Sequence, residues 1–539
     1  MTPLEDAVVD VAIVGAGLCG LALARTLAAR GVPFALVDAR ERLGGRMLSR
    51  RCETSGQMLD LGPTWFWPDT EPRIAALVAE LGLSSVAQHD PGDALWLTDP
   101  NREPERRDEP GGVHAGARRI AGGIAHLVDA LAAGLPADCV MLGSALRVVR
   151  DRGAWIELRF DAAAGSRVLR ARKIVLALPP RLVRERLVFD PPLPDGLAGA
   201  LEATPTWMAA EAKALTTYAT PFWRTAGHSG NAFVRHPQAA LGEVFDASDP
   251  DMSAGALGGF VALDAAQRVQ FAKGMTLLVE SQLAQLYGRD AQDGTLHLFD
   301  WAAEPWTCSD ADWAERGAAP QADPALRRTW WSGRLHFGGS ETAAHGAGHM
   351  EGALEAAARI ARLLAPPVQD KGGANIEPAT REDALARFKQ VAAVCRADAP
   401  EHYRRHVTRL LSGQRVEQLT QHALLATVEQ VYSHALVALD ALLPSLCAVD
   451  AGAPEAGRHP LTRVLLAAFD GWNRELIDAA LAFNGTSCAL SNFPDEHRPD
   501  EALQRAIAAD LAAAWREFAL ELNARLLESD AHVHGGAPA

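Results

Sequence analysis

The sequence predicts three parts: an α/β domain, an α+β domain interleaved with it, and a C-terminal all-α helical bundle. Residues 8–14 form a near-continuous run of apolar, β-branched side chains, followed by a glycine-rich turn and an Ala/Leu-rich segment, as a buried parallel strand and a helix require. Apolar side chains recur at helical spacing after residue 380, which predicts the bundle. A chain of 539 residues is too long for one ordinary core, so several domains are expected.

Composition is that of an ordinary globular protein and excludes several classes of partner. Hydrophobic residues make up 48% of the sequence, and no run of about 18 apolar residues could span a membrane. The net charge of −15, without long basic stripes, argues against nucleic acid and anionic lipid as partners. Seven scattered cysteines show neither metal-ligand spacing nor a disulfide framework, and the N-terminus lacks the features of a signal peptide. We expect a cytoplasmic protein without a bound metal.

A dinucleotide-binding motif follows the first predicted strand. Gly15, Gly17 and Gly20 are spaced as G-x-G-x-x-G, and a predicted helix begins there. Such glycines permit a tight turn, close approach of the backbone to a pyrophosphate, and close contact between helix and strand. A second strand over 34–37 ends at Asp38, whose carboxylate suits the hydroxyls of a ribose. Strand, helix, second strand and acid in this order predict a Rossmann-like nucleotide site.

Two motifs come soon after the second strand. One is D-A-R-E-R-L-G-G-R (38–46), and the other is D-L-G-P-T-W (60–65). They resemble an acid–x–R–x–x–x–G–G–R run and a D-x-G-[GA]-x-[WY] loop of the flavin-dependent amine oxidase family, which includes monoamine and polyamine oxidases. Pro63 stands where the family usually has Gly or Ala, which predicts a stiffer loop. The resemblance implies an FAD site that includes Gly15, Gly17, Gly20, Asp38, Arg40, Gly45, Arg46 and Gly62.

Later segments resemble the family in the family's own order. Residues 118–151 contain a Gly-Gly turn, a helix and a strand, with Leu146 where the backbone would contact adenine. Residues 172–194 include an apolar strand that ends in Pro-Pro. Residues 333–364 resemble the closing signature G-[GT]-[ST]-E-x…G-x-M-E-G-A, and the resemblance adds Gly339, Glu341 and Met350 to the FAD site. A helix that begins at Met350 would direct its positive N-terminal end at the flavin.

Lys213 lies in a small, apolar, β-prone segment, A-A-E-A-K-A-L-T-T-Y, where burial of an ammonium is costly. Glu211 would face the same side of a strand, so an exposed Glu–Lys pair is the simplest interpretation. A lysine can also lose its proton in a site, which an arginine cannot do. The family's equivalent strand carries a lysine shortly before P-F-W, and that lysine holds a water near flavin N5. The resemblance implies the same catalytic role for Lys213, while Glu211 stays open between site residue and exposed partner.

The closing signature departs from the family at the substrate end. His349 stands where the family has one of two aromatic side chains that flank the substrate amine, so it could align the amine, act as a base or only line the cavity. No tyrosine occurs in 302–320, the stretch that should supply the second ring, and Trp306 and Trp313 are candidates. Cys308 does not fall at the position of covalent flavin attachment, so the resemblance implies non-covalent FAD.

The region between Trp65 and Arg118 is also shorter than in the family, which usually inserts a long helical part of the substrate domain there. Only about 50 residues separate the two positions, so the cavity must be more open or capped by another segment. Residues 98–116 are charged and rich in turn-forming residues, which predicts a surface loop.

The predicted domains follow from these matches. The FAD-binding domain comprises 1–68, 118–180 and 306–365, and the substrate domain comprises the shortened segment 69–117 together with 181–305. A linker over 366–379 precedes a helical bundle over 380–530. Its helices are predicted from Thr380 to about Ala397, from Pro400 to Gly413, over Gln414–Leu443, and near 460–483 and 499–528.

Histidines in the predicted bundle follow glutamates as E-x-x-x-x-H. This spacing places the two side chains on different helix faces, so packing, dimerisation or capping of the cavity is expected instead of metal binding.

The predicted function is an FAD-dependent amine oxidoreductase. The substrate Cα–H would pass as a hydride to flavin N5, water would hydrolyse the resulting imine, and O2 or another acceptor would take the electrons. The substrate would be a small-molecule amine or amino acid, and homo-oligomerisation through the bundle is possible. One alternative is a related flavoenzyme that acts on amino acids, with Arg224 or Arg235 binding a carboxylate, or that catalyses a desaturase-like reaction. The other is a flavin-binding scaffold that acts through its bundle.

Overall fold

The architecture comes from a computed structural model of the chain, which divides into two compact units, residues 1–361 and 362–539. The predicted linker at 366–379 lies outside the described residues. In the described part of the chain, no helix has the length and apolar character needed to cross a membrane. The structure describes residues 8–109, 112–163, 165–249, 254–315, 320, 323–344, 346–364, 380–412, 418–448, 452, 454–455, 457–485, 496 and 499–534.

In the part of the chain that the structure describes, the strands all lie in the first unit. They are β1 (Val8–Val14), β2 (Phe34–Val37), β3 (Ser49–Arg51), β4 (Met58–Asp60), β5 (Ser85–Ala87), β6 (Asp93–Leu97), β7 (Glu105–Arg107), β8 (Arg118–Ile120), β9 (Val140–Met141), β10 (Ser144–Asp151), β11 (Ile156–Ala162), β12 (Gly165–Leu176), β13 (Val188–Asp190), β14 (Ala212–Tyr218), β15 (His228–Val234), β16 (Leu241–Asp246), β17 (Gly255–Val261), β18 (Thr295–Asp300) and β19 (Leu335–Phe337).

The helices of the first unit connect these strands or flank them. They are α1 (Leu18–Ala29), α2 (Pro72–Glu80), α3 (Ala125–Ala132), α4 (Pro180–Arg186), α5 (Asp195–Ala203), α6 (Phe222–Thr225), α7 (Ala265–Gln270), α8 (Met275–Tyr287), α9 (Asp310–Ala314) and α10 (Pro324–Arg327). The next helix, α11 (Met350–Leu364), begins in the first unit and extends past the boundary at residue 361. The helices of the second unit are α12 (Arg381–Ser412), α13 (Leu419–Leu446), α14 (Pro460–Leu466), α15 (Trp472–Asn484) and α16 (Glu501–His534).

The first sheet has the strand order β13-β10-β11-β12-β1-β2-β9, with β19 also paired to β12. β1 runs parallel to β2 and β12, and every residue of β2 is buried, as expected for a parallel sheet covered on both faces. The carboxyl ends of β1, β2, β12 and β19 meet at one edge of this sheet. Gly15, Asp38, Ala177 and Gly338 begin the loops at that edge, where α/β folds bind their ligands.

The second sheet has the strand order β18-β14-β17-β16-β15-β6-β7. β14 is an inner strand, and every one of its residues, including Lys213, is buried. An exposed Glu–Lys face is therefore the wrong interpretation for Lys213, because both faces of β14 are covered. Glu211 lies one residue before the strand and is partly exposed.

The prediction of a surface loop over 98–116 is wrong in part. Glu105–Arg107 forms β7, which pairs antiparallel with β6 at the edge of the second sheet. The Arg107 guanidinium lies 4.7 Å from the centroid of the Trp96 ring, so a charged residue packs against the sheet through a cation–π contact. His114 is also buried, with an exposed fraction of 7%.

Predicted helix boundaries in the bundle differ from the structure at two places. Residues 381–412 form one helix that includes Pro400, where a break was expected. Proline removes one backbone hydrogen bond, but Ala399 and Tyr403 on either side of it are buried in the core of the bundle, and this packing outweighs the loss. The single helix predicted over 460–483 is two helices, because Gly471 has φ +76 between α14 and α15.

Each unit has hydrophobic clusters of its own, so we predict that residues 1–365 fold without the bundle. Three clusters of buried apolar side chains lie wholly within the first unit, and one lies wholly within the second. A chain that ends at residue 365 should be expressed as a soluble protein whose Tm lies within about 5 °C of the full-length value. Thermal unfolding monitored by circular dichroism measures this. An insoluble or unfolded product would contradict it.

Candidate functional site

The first unit contains a cavity of about 350 Å³ at the edge where the parallel strands end. Its wall combines the turn after β1, the segments 44–47 and 61–67, the start of β14 and the start of α11. Gly20 and Leu146 do not lie on this wall, because Gly20 packs inside α1 against the carbonyl of Gly15 and Leu146 is buried in the core at β10. The predicted site residues on the wall are Gly15, Gly17, Asp38, Arg40, Gly45, Arg46, Gly62, Lys213, Gly339, Glu341, His349 and Met350.

The glycine-rich turn shows why glycine is required at two of its positions. Gly15 has φ +102, and a Cβ there would overlap the carbonyl oxygen of Ala177. A Cβ on Gly20 would overlap the carbonyl oxygen of Gly15. Gly17 differs, because its φ is −74 and a Cβ would have no atom within 4 Å. Since Gly17 lines the cavity, its missing side chain leaves room for a ligand beside the backbone.

Asp38 and Arg40 hold in place the loop that follows β2. Asp38 accepts hydrogen bonds from the backbone N–H of Ala16 at 2.7 Å and of Arg40 at 2.8 Å. The Arg40 side chain donates to Glu304 Oε2 at 3.3 Å and to Thr307 Oγ1 at 2.8 Å. The Asp38 carboxylate thus ties the glycine-rich turn to the end of β2, as expected of an acid beside a nucleotide.

Arg46 and Glu341 form an ion pair on the cavity wall. Arg46 Nη1 lies 2.7 Å from Glu341 Oε1, and Arg46 Nη2 donates to Ser340 Oγ at 2.8 Å. Arg46 Nη1 also donates to the carbonyl of Trp207 at 3.0 Å, and the N–H of Trp207 donates to Glu341 at 3.3 Å. The two charged side chains therefore clamp the backbone of Trp207 from both sides.

Lys213 places a buried amine on the same wall. Its Nζ donates to the carbonyl oxygen of Gly62 at 2.8 Å and to the hydroxyl of Thr64. Because an ammonium has three N–H donors, one has no hydrogen-bond partner among the described residues. Burial lowers the pKa of Lys213 to about 7, with the nearby Asp60 carboxylate acting in the opposite direction. The side chain can therefore change its charge near neutral pH.

His349 lies where α11 begins and faces a second ring. Its Nδ1 is 3.1 Å from Glu71 Oε1. Its ring is near-parallel to that of Trp207, with centroids 6.0 Å apart and planes 19° apart. Trp207 comes from the segment before β14, so it, and not a residue of 302–320, supplies the aromatic ring beside His349.

The two tryptophans predicted from 302–320 lie in different surroundings. Trp306 lies on the cavity wall, where the guanidinium groups of Arg147 and Arg186 contact its ring at 5.8 and 5.5 Å. Trp313 is 46% exposed and is not part of the wall. Trp301, just before this stretch, is buried on the wall and donates to the carbonyl of Leu61 at 3.0 Å.

Both guanidinium groups proposed for a substrate carboxylate are engaged elsewhere. Arg224 forms a two-point ion pair with the buried Asp246, at 2.7 and 2.9 Å. Arg235 donates to the carbonyl of Gly242 at 2.7 Å. Neither arginine lines the cavity. The structure therefore gives neither of them a role in binding an amino acid.

The thiols near the cavity are not set up for nucleophilic attack. Cys19 lies on the wall, and burial raises its pKa to about 11. Cys308 lies outside the wall, and burial raises its pKa to about 12. Both thiols stay protonated at neutral pH, whereas the thiolate is the reactive form.

One group of possible metal ligands occurs in the described part of the second unit. Atoms of Cys447, His459 and Asp530 lie within 4.8 Å of one another. His459 Nδ1 accepts from the N–H of Leu461 at 3.2 Å, which leaves the proton of the neutral ring on Nε2, 3.7 Å from Asp530 Oδ2. A metal needs a lone pair at Nε2, so this histidine is better described as the N-terminal cap of α14.

Sequence reasoning missed several wall residues. Glu71 and Thr64 belong to the segment between β4 and α2, and Trp207 precedes β14. An acid directly before the proline that opens α2, and a tryptophan six residues before the lysine, were the available signals. Neither pattern specifies a partner, because the contacts of these side chains join positions more than 130 residues apart.

Comparison with known proteins gives two family matches. Residues 105–365 match the model of flavin-containing amine oxidoreductases, and residues 13–81 match that of NAD(P)-binding Rossmann-like domains. A putrescine oxidase from Kocuria rosea is 26% identical, over 67% of this chain and 95% of the relative. A flavin-containing amine oxidase B from Sus scrofa is 22% identical, over 66% of this chain and 86% of the relative.

Solved structures share the fold over about two thirds of the chain. A putrescine oxidase bound to putrescine has a TM-score of 0.55 and 23% identity, over 66% of this chain and 98% of that chain. A cyclohexylamine oxidase from Brevibacterium oxydans also has a TM-score of 0.55, with 21% identity over 66% of this chain and 99% of that chain. The predicted α/β and α+β architecture is thereby confirmed, and a helical C-terminal region follows it.

Proposed function

Because this chain belongs to the flavin-containing amine oxidoreductase family through residues 105–365, we propose that it oxidises a small-molecule amine. The resemblance deduced from sequence motifs is confirmed, and with it an oxidoreductase that uses FAD. In the proposed reaction, the substrate loses a hydride from Cα, water hydrolyses the resulting imine, and O2 takes the electrons.

The cavity fits a non-covalent FAD. The open space beside Gly17 and the close packing of Gly15 against Ala177 form a cradle for a pyrophosphate at the N-terminus of α1. We assign the Asp38 carboxylate to a ribose of the cofactor, and the first turn of α11 contributes Met350 to the wall. The protonated thiols of Cys19 and Cys308 support a cofactor held without a covalent bond. FAD supplies the acceptor for the hydride of the substrate.

The observation that best supports this reaction is the buried amine of Lys213 at the cavity wall. A lysine with an exposed fraction of 3% is costly to bury, and the carbonyl of Gly62 and the hydroxyl of Thr64 hold its Nζ at the cavity. Its remaining N–H donor can hold a water at the wall. We assign to this water the hydrolysis of the imine or the delivery of a proton during reoxidation. A scaffold that only binds flavin has no use for such an amine.

The positions of Arg224 and Arg235 support an amine without a carboxylate as the substrate, in preference to an amino acid. The two sequence candidates for binding a substrate carboxylate, Arg224 and Arg235, are engaged in other contacts away from the wall. On the wall, the Glu71 carboxylate lies beside His349, the residue expected at the substrate end, and a carboxylate attracts a cationic ligand. Both observations support a substrate that enters as an ammonium.

Anaerobic mixing with candidate substrates tests the proposal. The flavin absorbance of the purified yellow protein should bleach with at least one member of a panel of amines and polyamines, and not with amino acids. Readmission of oxygen should restore the absorbance and release H2O2 if O2 is the acceptor. If no amine bleaches the flavin while dithionite does, the reaction proposed here is wrong and the scaffold alternative gains support.

A further inference from the structure

We propose that Glu71 is a positioning residue that sets the tautomer of His349, so that His349 Nε2 takes the proton of the substrate ammonium. This inference rests on the proposed function, since it concerns how an amine is prepared for oxidation. A hydride can leave Cα readily only when the amine nitrogen has a free electron pair to form the C=N bond. A protonated amine lacks that pair, so a base at the cavity wall is needed to remove the proton from the substrate ammonium.

The contact between the two side chains joins distant parts of the chain. His349 Nδ1 lies 3.1 Å from Glu71 Oε1, although 278 positions separate them. The His349 side chain is 47% exposed on the cavity wall, whereas the Glu71 side chain is 10% exposed. An accessible imidazole is thus held by a nearly buried carboxylate.

Glu71 is itself fixed on its other side. Its second oxygen, Oε2, accepts from the backbone N–H of Trp67 at 2.8 Å. Directly beside it, Glu351 of α11 pairs with Arg73 at 3.0 Å and accepts from the N–H of Ile74 at 3.1 Å. The segment 67–74 is therefore attached to the start of α11 at two places. Trp67 and Glu71 of this segment line the cavity.

The carboxylate decides which nitrogen of His349 carries the proton. An ionised carboxylate only accepts hydrogen bonds, so the hydrogen of the neutral ring lies on Nδ1 and points at Glu71. Nε2 then carries a lone pair and, among the described residues, has no hydrogen-bond partner. This is the form of imidazole that can accept a proton from a ligand in the cavity.

The ring of His349 is held in place by packing as well. It lies near-parallel to Trp207, whose backbone Arg46 and Glu341 clamp. Gly348 has φ +82, and a Cβ there would come 2.5 Å from Trp207 Cβ, so only glycine lets the chain approach this closely. The orientation of Nε2 therefore does not depend on Glu71 alone.

The proton transfer balances simply. One N–H bond of the substrate ammonium breaks, an N–H bond forms at His349 Nε2, and the electron pair stays on the amine nitrogen. The imidazolium that results still donates its Nδ1–H to Glu71 Oε1, 3.1 Å away. The other charged groups beside this pair or on the cavity wall are the Glu351–Arg73 pair and the wall residues Asp38, Arg40, Arg46, Glu211, Lys213 and Glu341.

Glu71→Gln is the decisive variant. An amide has one acceptor oxygen, so it cannot accept from both the Trp67 N–H and the His349 Nδ1–H. If the oxygen keeps its bond to Trp67, the amide N–H2 faces Nδ1, and the proton of the ring moves to Nε2. Glu71→Asp retains two acceptor oxygens and serves as the matched control for folding and charge.

The pH profile of flavin reduction reports this change. In the wild-type holoenzyme, kred/Kd for an amine that reduces the flavin should stay nearly level for two pH units below the pKa of that amine. In Glu71→Gln it should fall about tenfold per pH unit there, because only the free amine from solution reacts, and it should rejoin the wild-type value above that pKa. The profile of Glu71→Asp should stay level over the same pH range, whatever its absolute value, because this variant retains a carboxylate.

Two further measurements separate a positioning role from other roles. In a His349→Phe background, Glu71→Gln should cause no additional loss, whereas an equal loss there would mean that Glu71 touches the substrate itself. ¹⁵N NMR of the histidine-labelled holoenzyme, with His349→Phe to assign the signal, should show protonated Nδ1 in the wild type and protonated Nε2 in Glu71→Gln.

A level profile in Glu71→Gln, or an unchanged tautomer, would overturn the inference. Its failure differs from failure of the proposed function, in which no amine reduces the wild-type flavin at all. Even then, the NMR comparison still tests whether Glu71 sets the tautomer of His349.

Discussion

Replacing Lys213 with methionine should slow the reoxidation of reduced FAD by oxygen at least tenfold while FAD stays bound. A cation near developing negative charge on oxygen lowers the barrier to electron transfer, and a donor that holds a water can deliver a proton. Methionine has a similar length but offers neither charge nor donor. Stopped-flow mixing of the reduced protein with oxygen measures the rate directly.

The pH dependence of reoxidation provides a second readout. Burial lowers the pKa of Lys213 to about 7, so the amine is cationic below that pH and neutral above it. The wild-type rate should therefore fall as the pH rises through about 7, and the rate of Lys213→Met should stay level. Lys273→Met, at an exposed lysine outside the cavity, is the matched control and should behave as wild type. Equal oxidative rates in Lys213→Met and wild type would remove the role that we assign to this residue.

Gly17→Ala should weaken FAD binding by about 100-fold and leave the stability of the protein without FAD nearly unchanged. The backbone of Gly17 has φ −74, which alanine adopts readily, and a Cβ meets no protein atom within 4 Å. The new methyl group would instead project into the space where the pyrophosphate belongs. Titration of the flavin-free protein with FAD, followed by fluorescence quenching, gives the change in Kd.

Two other glycines make this prediction specific. Gly134→Ala also adds a Cβ with no atom within 4 Å, but at an exposed position away from the cavity, so FAD affinity should not change. Gly20→Ala should lower the Tm of the flavin-free protein, because its Cβ would overlap the carbonyl of Gly15. Wild-type FAD affinity in Gly17→Ala would show that the cofactor does not pass this turn.

Local patterns in the sequence were sufficient for the fold class, the family and the cofactor. The strand, the G-x-G-x-x-G turn, the helix and Asp38 lie within about 30 residues, and each makes its contacts within that unit or with the adjacent strand. Motifs of this kind can be recognised in a sequence because the backbone geometry of a tight turn restricts the residue type. The same reasoning could not resolve helix ends in the bundle, where packing around Pro400 overrides a local preference for a break.

The arrangement of the cavity depended on long-range contacts. The sequence identified Lys213 and His349 as candidates, but only the fold shows β14 covered on both faces, Thr64 beneath the amine, and Trp207 beside the histidine. Glu71 carried no motif at all, yet it lies 3.1 Å from His349.

There is a physical reason why the motifs could be predicted from the sequence and the arrangement of the cavity could not. A turn or a strand is specified by its own residues, since its hydrogen bonds close within a few positions or along a neighbouring strand. A site that joins segments 134 to 278 positions apart is specified by the packing of the whole unit, because burial and the hydrogen-bond partners of a charged side chain exist only after those segments meet. The sequence therefore determined the cofactor and the class of reaction, and the tertiary structure decided which side chains line the cavity.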